Sequence, residues 1–245
     1  MTTLRVYLRD TIGLSTNNRA DALITHGLTN YDTLEEYDDD DVKTLIKGVR
    51  TNNTNPLIIS ALIEKRVRLM CYGARLYSMI GRDVNAANLS IRRLRELESH
   101  KTIVEDHKDP SEETPKVTKT FSISKALDIL PNFLRSKLGV RGVALSYVIR
   151  DAGTPPPLSP LGTNLLYSDA AGSLMNELII HTPHTGVGWD EDNASVFGIL
   201  QEMVRESPMA SSLKQHQRQR DGRNAYLSLE SRLTEFGMEE TAVTR

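Results

Sequence analysis

Between Leu57 and Arg82 the apolar residues Ile59, Leu62, Ile63, Leu69, Met70, Leu76, Tyr77 and Ile80 recur at helical spacing. In a helix these residues share one side, while Glu64, Lys65, Arg66, Arg68 and Arg75 cover much of the remainder. The pattern predicts one helix from Leu57 to about Arg82, with Pro56 suited to its first turn. That is well beyond the average globular helix of about 11–12 residues. So long an apolar stripe must be covered, either by two domains or by a partner helix. Leu62, Leu69 and Leu76 stand seven apart, the spacing of a helical hairpin or an intermolecular coiled coil. Fewer than four heptads are present, and the pattern is read as a core helix.

The residues before this stripe predict a small helical module, 1–52. Leu4, Tyr7, Leu8 and Ile12 mark a first helix that Gly13 stops, and Ser15-Thr16-Asn17 offers caps to a second carrying Ala20, Leu23 and Ile24. Tyr31–Leu34 reads as a short helical turn. The aspartates Asp38–Asp41 precede Val42, Leu45, Ile46 and Val49. Acidic residues at that position complement a helix N-terminus and are not read as a metal cluster. The order G-L-S-x4-A-x2-L-I-x2-G-L-x4-T-L, from Gly13 to Leu34, resembles the sterile-alpha-motif and helix-hairpin-helix group. Helix-hairpin-helix modules hold DNA phosphate on a G-x-G turn. Gly13-Leu14-Ser15 has only the first glycine, which favours protein contact or packing over DNA.

Beyond Asn52–Asn55, a linker by composition, the long helix is followed by a helix from Leu89 to about Ser99, together spanning 56–100. Arg92, Arg93 and Arg95 lie on its outer face beside Glu96 and Glu98, which reads as a salt-bridged surface. Residues 101–118, containing EDHKDPSEETPK, are charged and lack periodicity, as a flexible linker would. Ser122 or Ser124 caps a helix with Ile123, Leu127, Leu130, Leu134 and Leu138, in which Pro131 predicts a kink or split. Val140–Ile149 fits strand or helix and is read as a short helix. The proline run in Gly153–Gly162 reads as a surface loop. Leu174, Leu178 and Ile179 mark another helix, and Asp192 or Asn193 is expected to cap one carrying Val196, Phe197, Leu200, Met203 and Val204. A last helix pair lies around Leu213 and Tyr226–Phe236, with Asp221 as the cap of its second member. A disordered tail, 239–245, closes the chain.

Reaction motifs are missing: there is no G-x-S-x-G, G-x-x-x-x-G-K-[ST], G-x-G-x-x-G or H-E-x-x-H. His181 and His184 flank a proline without a third ligand at fitting distance, and Asp190, Asp192 and Asn193 lack the rest of a calcium loop. No catalytic residue, metal or cofactor is expected. The single cysteine, Cys71, leaves no disulfide framework and points to an intracellular compartment. No apolar run approaches the ~18–20 residues of a membrane span. A net charge of −2 excludes a wholly basic surface but not a local basic patch. Lys214, Arg218, Arg220 and Arg223 form the candidate nucleic-acid contact, through phosphates.

Three blocks carry a second resemblance: LGVRGVALSYVIR (Leu138–Arg150), DNASVFGIL (Asp192–Leu200) and QRQRDGRNAYLSL (Gln217–Leu229). With the helix Ile58–Tyr77 they look like a group of algal and oomycete retrotransposon-associated proteins and, more distantly, the gag-like region of copia-type elements. The resemblance covers roughly residues 56–236. It implies a mainly α fold: the N-terminal helical module, a long connecting helix, and a gag-like, capsid-like helical domain over 119–238. It further implies a non-enzymatic protein that self-associates as a homo-oligomer and packages RNA, with the N-terminal module free to meet a protein partner. No C-x2-C-x4-H-x4-C knuckle is present, so RNA contact would fall to the four basic residues above.

Overall fold

The computed structural model describes residues 3–51, 57–106, 113–117, 122–150 and 170–243, with side chains left out at 170–173 and 234–243. The fold is mainly α, as expected: the only strand-like pairing among the described residues is one bridge, Leu138 to Ala144. The described residues divide into two compact units. The first holds the chain to Ile103 together with residues 170–176, and the second holds the other described residues from Val104 on.

In the first unit, α1 (Leu4–Tyr7) passes into a π-helical turn, Leu8–Ile12, which ends where Gly13 adopts a left-handed conformation (φ +101°). Thr16 caps α2 (Asn17–Thr25) by accepting from the amide of Arg19 (3.4 Å). A 3-10 turn, Asp32–Glu36, leads to α3 (Asp39–Arg50). Asp38 accepts from the amides of Asp40 and Asp41, both at 2.8 Å, and its own amide donates to Asp41 (3.1 Å). The aspartate run therefore builds a reciprocal cap on α3.

The long apolar stripe forms α4 (Ala61–Met79), shorter than its pattern predicts. Ser60 accepts from the amide of Ile63 (3.3 Å) and starts the helix there, while Leu57–Ser60 carries no helical assignment. Pro56 lies outside the described residues. The expected break near residue 52 does not separate one unit from the other, because α4 is the spine of the first one. Arg66 donates to the carbonyl of Ile12 (3.0 Å), Arg75 to that of Tyr37, and Arg50, on α3, to that of Ile59 (2.7 Å). Leu69 and Leu76 are buried inside the unit and only Leu62 is exposed, which matches a core helix. α5 (Ile91–Glu105) runs past its predicted end. Residues 101–105, read as linker, are thus helical. Farther along, the amide of Val117 donates to Met203 (2.8 Å), so the described end of that stretch is also anchored.

The second unit begins with α6 (Ile123–Ser136), capped by Ser122. The helix continues through Pro131 unsplit, where a kink or a split was expected. Val140–Ile149 is mostly not helical: a turn closed by the Leu138–Ala144 bridge precedes α7 (Ser146–Ile149). Tight backbone pairing of Gly139 with Val143 (2.9 Å) displaced the helix that an all-apolar run suggested. α8 (Ala170–His181) and α9 (Trp189–Val204) follow. Then come a 3-10 helix, Pro208–His216, and α10 (Gly222–Val243), so residues 239–243 are helical where a tail was expected. The Gly153–Gly162 run lies outside the described residues, as does the tail's end at 244–245. No helix among the described residues is long and apolar enough to cross a membrane.

Two helix glycines separate packing from propensity. A Cβ on Gly73 of α4 would stand 2.6 Å from Leu97 and 2.9 Å from Leu89, whereas one on Gly198 of α9 meets nothing within 4 Å. Gly73→Ala is expected to lower the unfolding free energy by about 1–3 kcal/mol through overpacking. Gly198→Ala should raise it by about 0.5–1 kcal/mol through helix propensity. Urea unfolding of the two variants checks the opposite signs.

Candidate functional site

The three blocks that carry the gag-like resemblance meet in the second unit. Their meeting point is the first turns of α9. Asp192 and Asn193 were expected to cap this helix, but it starts earlier, at Trp189, with Gly188 at the cap position in a left-handed conformation (φ +78°). Both side chains are thereby free to face inward. Asp192 is fully buried and accepts from the amide of Val140 (2.7 Å) and the hydroxyl of Tyr147 (2.9 Å). Asn193 accepts from the amide of Arg223 (2.8 Å) and donates to Asp221 (3.3 Å). Asp221 also accepts from the amide of Asn224 (3.1 Å), so it caps α10 as its sequence suggests.

Arg223 completes the junction. Its Nη1 donates to the carbonyls of Val148 (2.9 Å) and Arg150 (2.6 Å), satisfying backbone acceptors at the end of α7. Two glycines make the close approach possible. A Cβ on Gly139 would overlap the carboxylate of Asp192. One on Gly222 would overlap the carbonyl of Asn193 and stand 2.6 Å from the amide of Phe197. The L-G-V, D-N and D-G-R signatures are therefore parts of one fastener between α7, α9 and α10.

A second set of contacts fixes the loop that precedes α9. Arg141 donates to three of its carbonyls: Pro183 (2.7 Å), Thr185 (2.5 Å) and Val187 (2.6 Å). His184 donates from Nε2 to the carbonyl of Tyr147 (2.8 Å) and stacks near Trp189, ring centres 4.9 Å apart. Arg150 adds a contact to the carbonyl of Thr182 (2.6 Å). The tip carries Val187, 97 % exposed, and Val140 beside it at 66 %.

The ionisable groups here are tuned by burial. Desolvation pushes the Asp192 carboxyl above its usual range, the two donated hydrogen bonds acting against it. It also pushes the Tyr147 hydroxyl up and the His184 imidazole down, keeping both neutral near pH 7. Asp192 and Tyr147 have no solvent-exposed surface, and they are bonded to each other.

The four basic candidates separate into two groups. Arg223 is half-buried, and its Nη1 donates to two carbonyls. Lys214, Arg218 and Arg220 are exposed, and their side chains make no hydrogen bond or ion pair among the described residues. Lys214 edges a cavity of about 200 Å³ floored by Phe197, Val204 and Leu213. Cys71 is buried in α4, and desolvation raises its thiol to about 12, leaving it unreactive. Asp192, Tyr147 and Arg141 escape sequence reasoning because no spacing announces a contact between segments some fifty residues apart.

Asp192→Ala strands the amide of Val140 and the buried hydroxyl of Tyr147, and a loss of about 2–5 kcal/mol is expected. Asp192→Asn keeps an acceptor for the amide and should cost less. The folded carboxyl titrates above its unfolded range, so the unfolded chain releases this proton first. Wild-type stability therefore declines as pH rises from the ordinary carboxylate range through the folded value. Unfolding curves across pH should show that decline flattened in Asp192→Asn.

No protein-family model matches the chain, and neither does any curated protein or solved structure.

Proposed function

We propose that this chain is a non-enzymatic structural protein that associates with copies of itself, as the gag-like resemblance implies, and works inside the cell. One observation carries the reading: the Val140–Val187 tip. Exposed valines are ordinary when they stand singly. Here Val187 stands on a loop tied down through three carbonyls by Arg141, and Val140, on the neighbouring turn, lies against Gly188 of that loop. An apolar tip held rigid loses little entropy when it docks, which is what favours association. Arg141, Arg150, His184 and Arg223 of the same region donate to backbone carbonyls, which speaks for scaffolding over catalysis.

A second reading assigns nucleic-acid contact to Lys214, Arg218 and Arg220, whose cationic ends are exposed. Such binding would rest on phosphate and fall steeply with salt. Changing all three to Ala should then reduce the salt slope by up to about three.

Light scattering over a concentration series tests the leading reading. The weight-average mass should rise with concentration, and Val140→Ser with Val187→Ser should hold it near the monomer value of 27.4 kDa. A wild-type chain that stays monomeric throughout would remove the proposal.

A further inference from the structure

A cavity in the first unit lies far in sequence from the valine tip and is unused by the reading above. Its volume is about 720 Å³, within the ~300–1,000 Å³ range of ligand sites. Leu4, Val84 and Ala87 supply apolar wall, and Tyr31 supplies an aromatic one. The wall is well supported: Tyr7 packs against Tyr31 with ring centres 6.0 Å apart, and its hydroxyl donates to the carbonyl of Leu89 (2.6 Å). The cleft is therefore framed by fixed side chains on both sides.

Its polar groups have a consistent character. The hydroxyl of Tyr31 is buried without a hydrogen-bond partner. Burial raises it to about 12, so it keeps its proton and remains a donor. Asn30 and Asn85 spend their oxygens on local amides: Thr33 in one case (2.9 Å), Ala87 and Asn88 in the other (3.0 and 3.1 Å). Their side-chain NH2 groups have no acceptor among the described residues. The buried Tyr31 hydroxyl thus waits on an acceptor, and the two more open amide groups offer further donors beside it. The only charged lining residue is Asp32, whose carboxylate is exposed and forms no ion pair among the described residues. Glu35 and Glu36 follow on the same turn, and no Lys or Arg occurs from Ala20 to Val42.

A buried donor with no acceptor is costly, and proteins rarely leave one without a purpose. An extended peptide supplies what this cleft lacks: carbonyls for the donors, apolar side chains for the walls and a cationic side chain for Asp32. We infer that the Leu4–Tyr31–Val84 cleft is a docking site for an extended, lysine-bearing apolar peptide segment of a partner protein. The acidic turn selects the partner by charge, and the donors hold its main chain. This goes beyond self-association through the valine tip, and either can fail without the other.

The test uses the full chain, 15N-labelled, with three probes: acetyl-Leu-Lys-Leu-amide, its norleucine analogue and its glutamate analogue. Saturable shifts are expected at the amides of Thr29–Asp32 and Val84–Ala87, with affinity in the order Lys, norleucine, Glu. Asp32→Asn should bring the lysine peptide down to the norleucine level, about fivefold, while leaving the other two nearly unchanged. Tyr31→Phe should weaken the lysine and norleucine peptides alike, because it removes a main-chain contact. Retained spectral dispersion confirms that each variant is folded. Absence of saturable shifts at these amides, or a glutamate peptide that binds as tightly as the lysine one, overturns the inference.

Discussion

A carboxylate sealed from water must be compensated where it sits, and Asp192 is compensated by two donors from one segment of chain. That requirement organises the second unit. The Val140 amide and the Tyr147 hydroxyl can reach the carboxylate only if the Leu138–Ala144 turn is closed and Gly139 has no side chain. Asn193, one residue on, makes the same demand of α10 through the Arg223 amide, and Gly222 lets the helix come close enough. Arg223 then reaches back to the end of α7. Remove the buried pair and the three segments lose the interactions that set their mutual register.

Much of the local structure was legible in the sequence. Gly13 stops the first helix, Thr16 and Asp38 start the next two, and Asp221 starts the last. Each of these rests on side chains acting within a few residues, which spacing can reveal. The failures share a different cause. Val140–Ile149 was apolar throughout and gave no period, so the turn at Gly139 was hidden. Asp192 and Asn193 resembled caps because polar residues before an apolar stripe usually are, yet α9 is capped at Gly188, ahead of both, and they turn inward. The boundary near residue 52 was read from composition, which cannot sense that α4 packs back on the helices before it.

The basic stretch before α10 divides along the same line. Arg223 looked like one of a group of surface cations, and long-range hydrogen bonds to carbonyls removed it from that group. The side chains of Lys214, Arg218 and Arg220 stay exposed and form no hydrogen bond or ion pair among the described residues. Charge in the sequence says where a cation is, and only the fold says whether it is spent. The same distinction applies to the Asp38–Asp41 run, whose ends are used in capping while Asp39 and Asp40 pair with Lys101 and Lys43.

If the buried Asp192–Asn193 pair holds the second unit together, its two bound amides should be among the last to open. Native-state hydrogen exchange of Val140 and Arg223, followed in rising urea, addresses this directly. The account predicts that both exchange only with global unfolding of the unit, with the same urea dependence as the core amide of Leu200. Exchange of either through local, urea-independent opening, at rates like those of the exposed turn at Gln219, would contradict it.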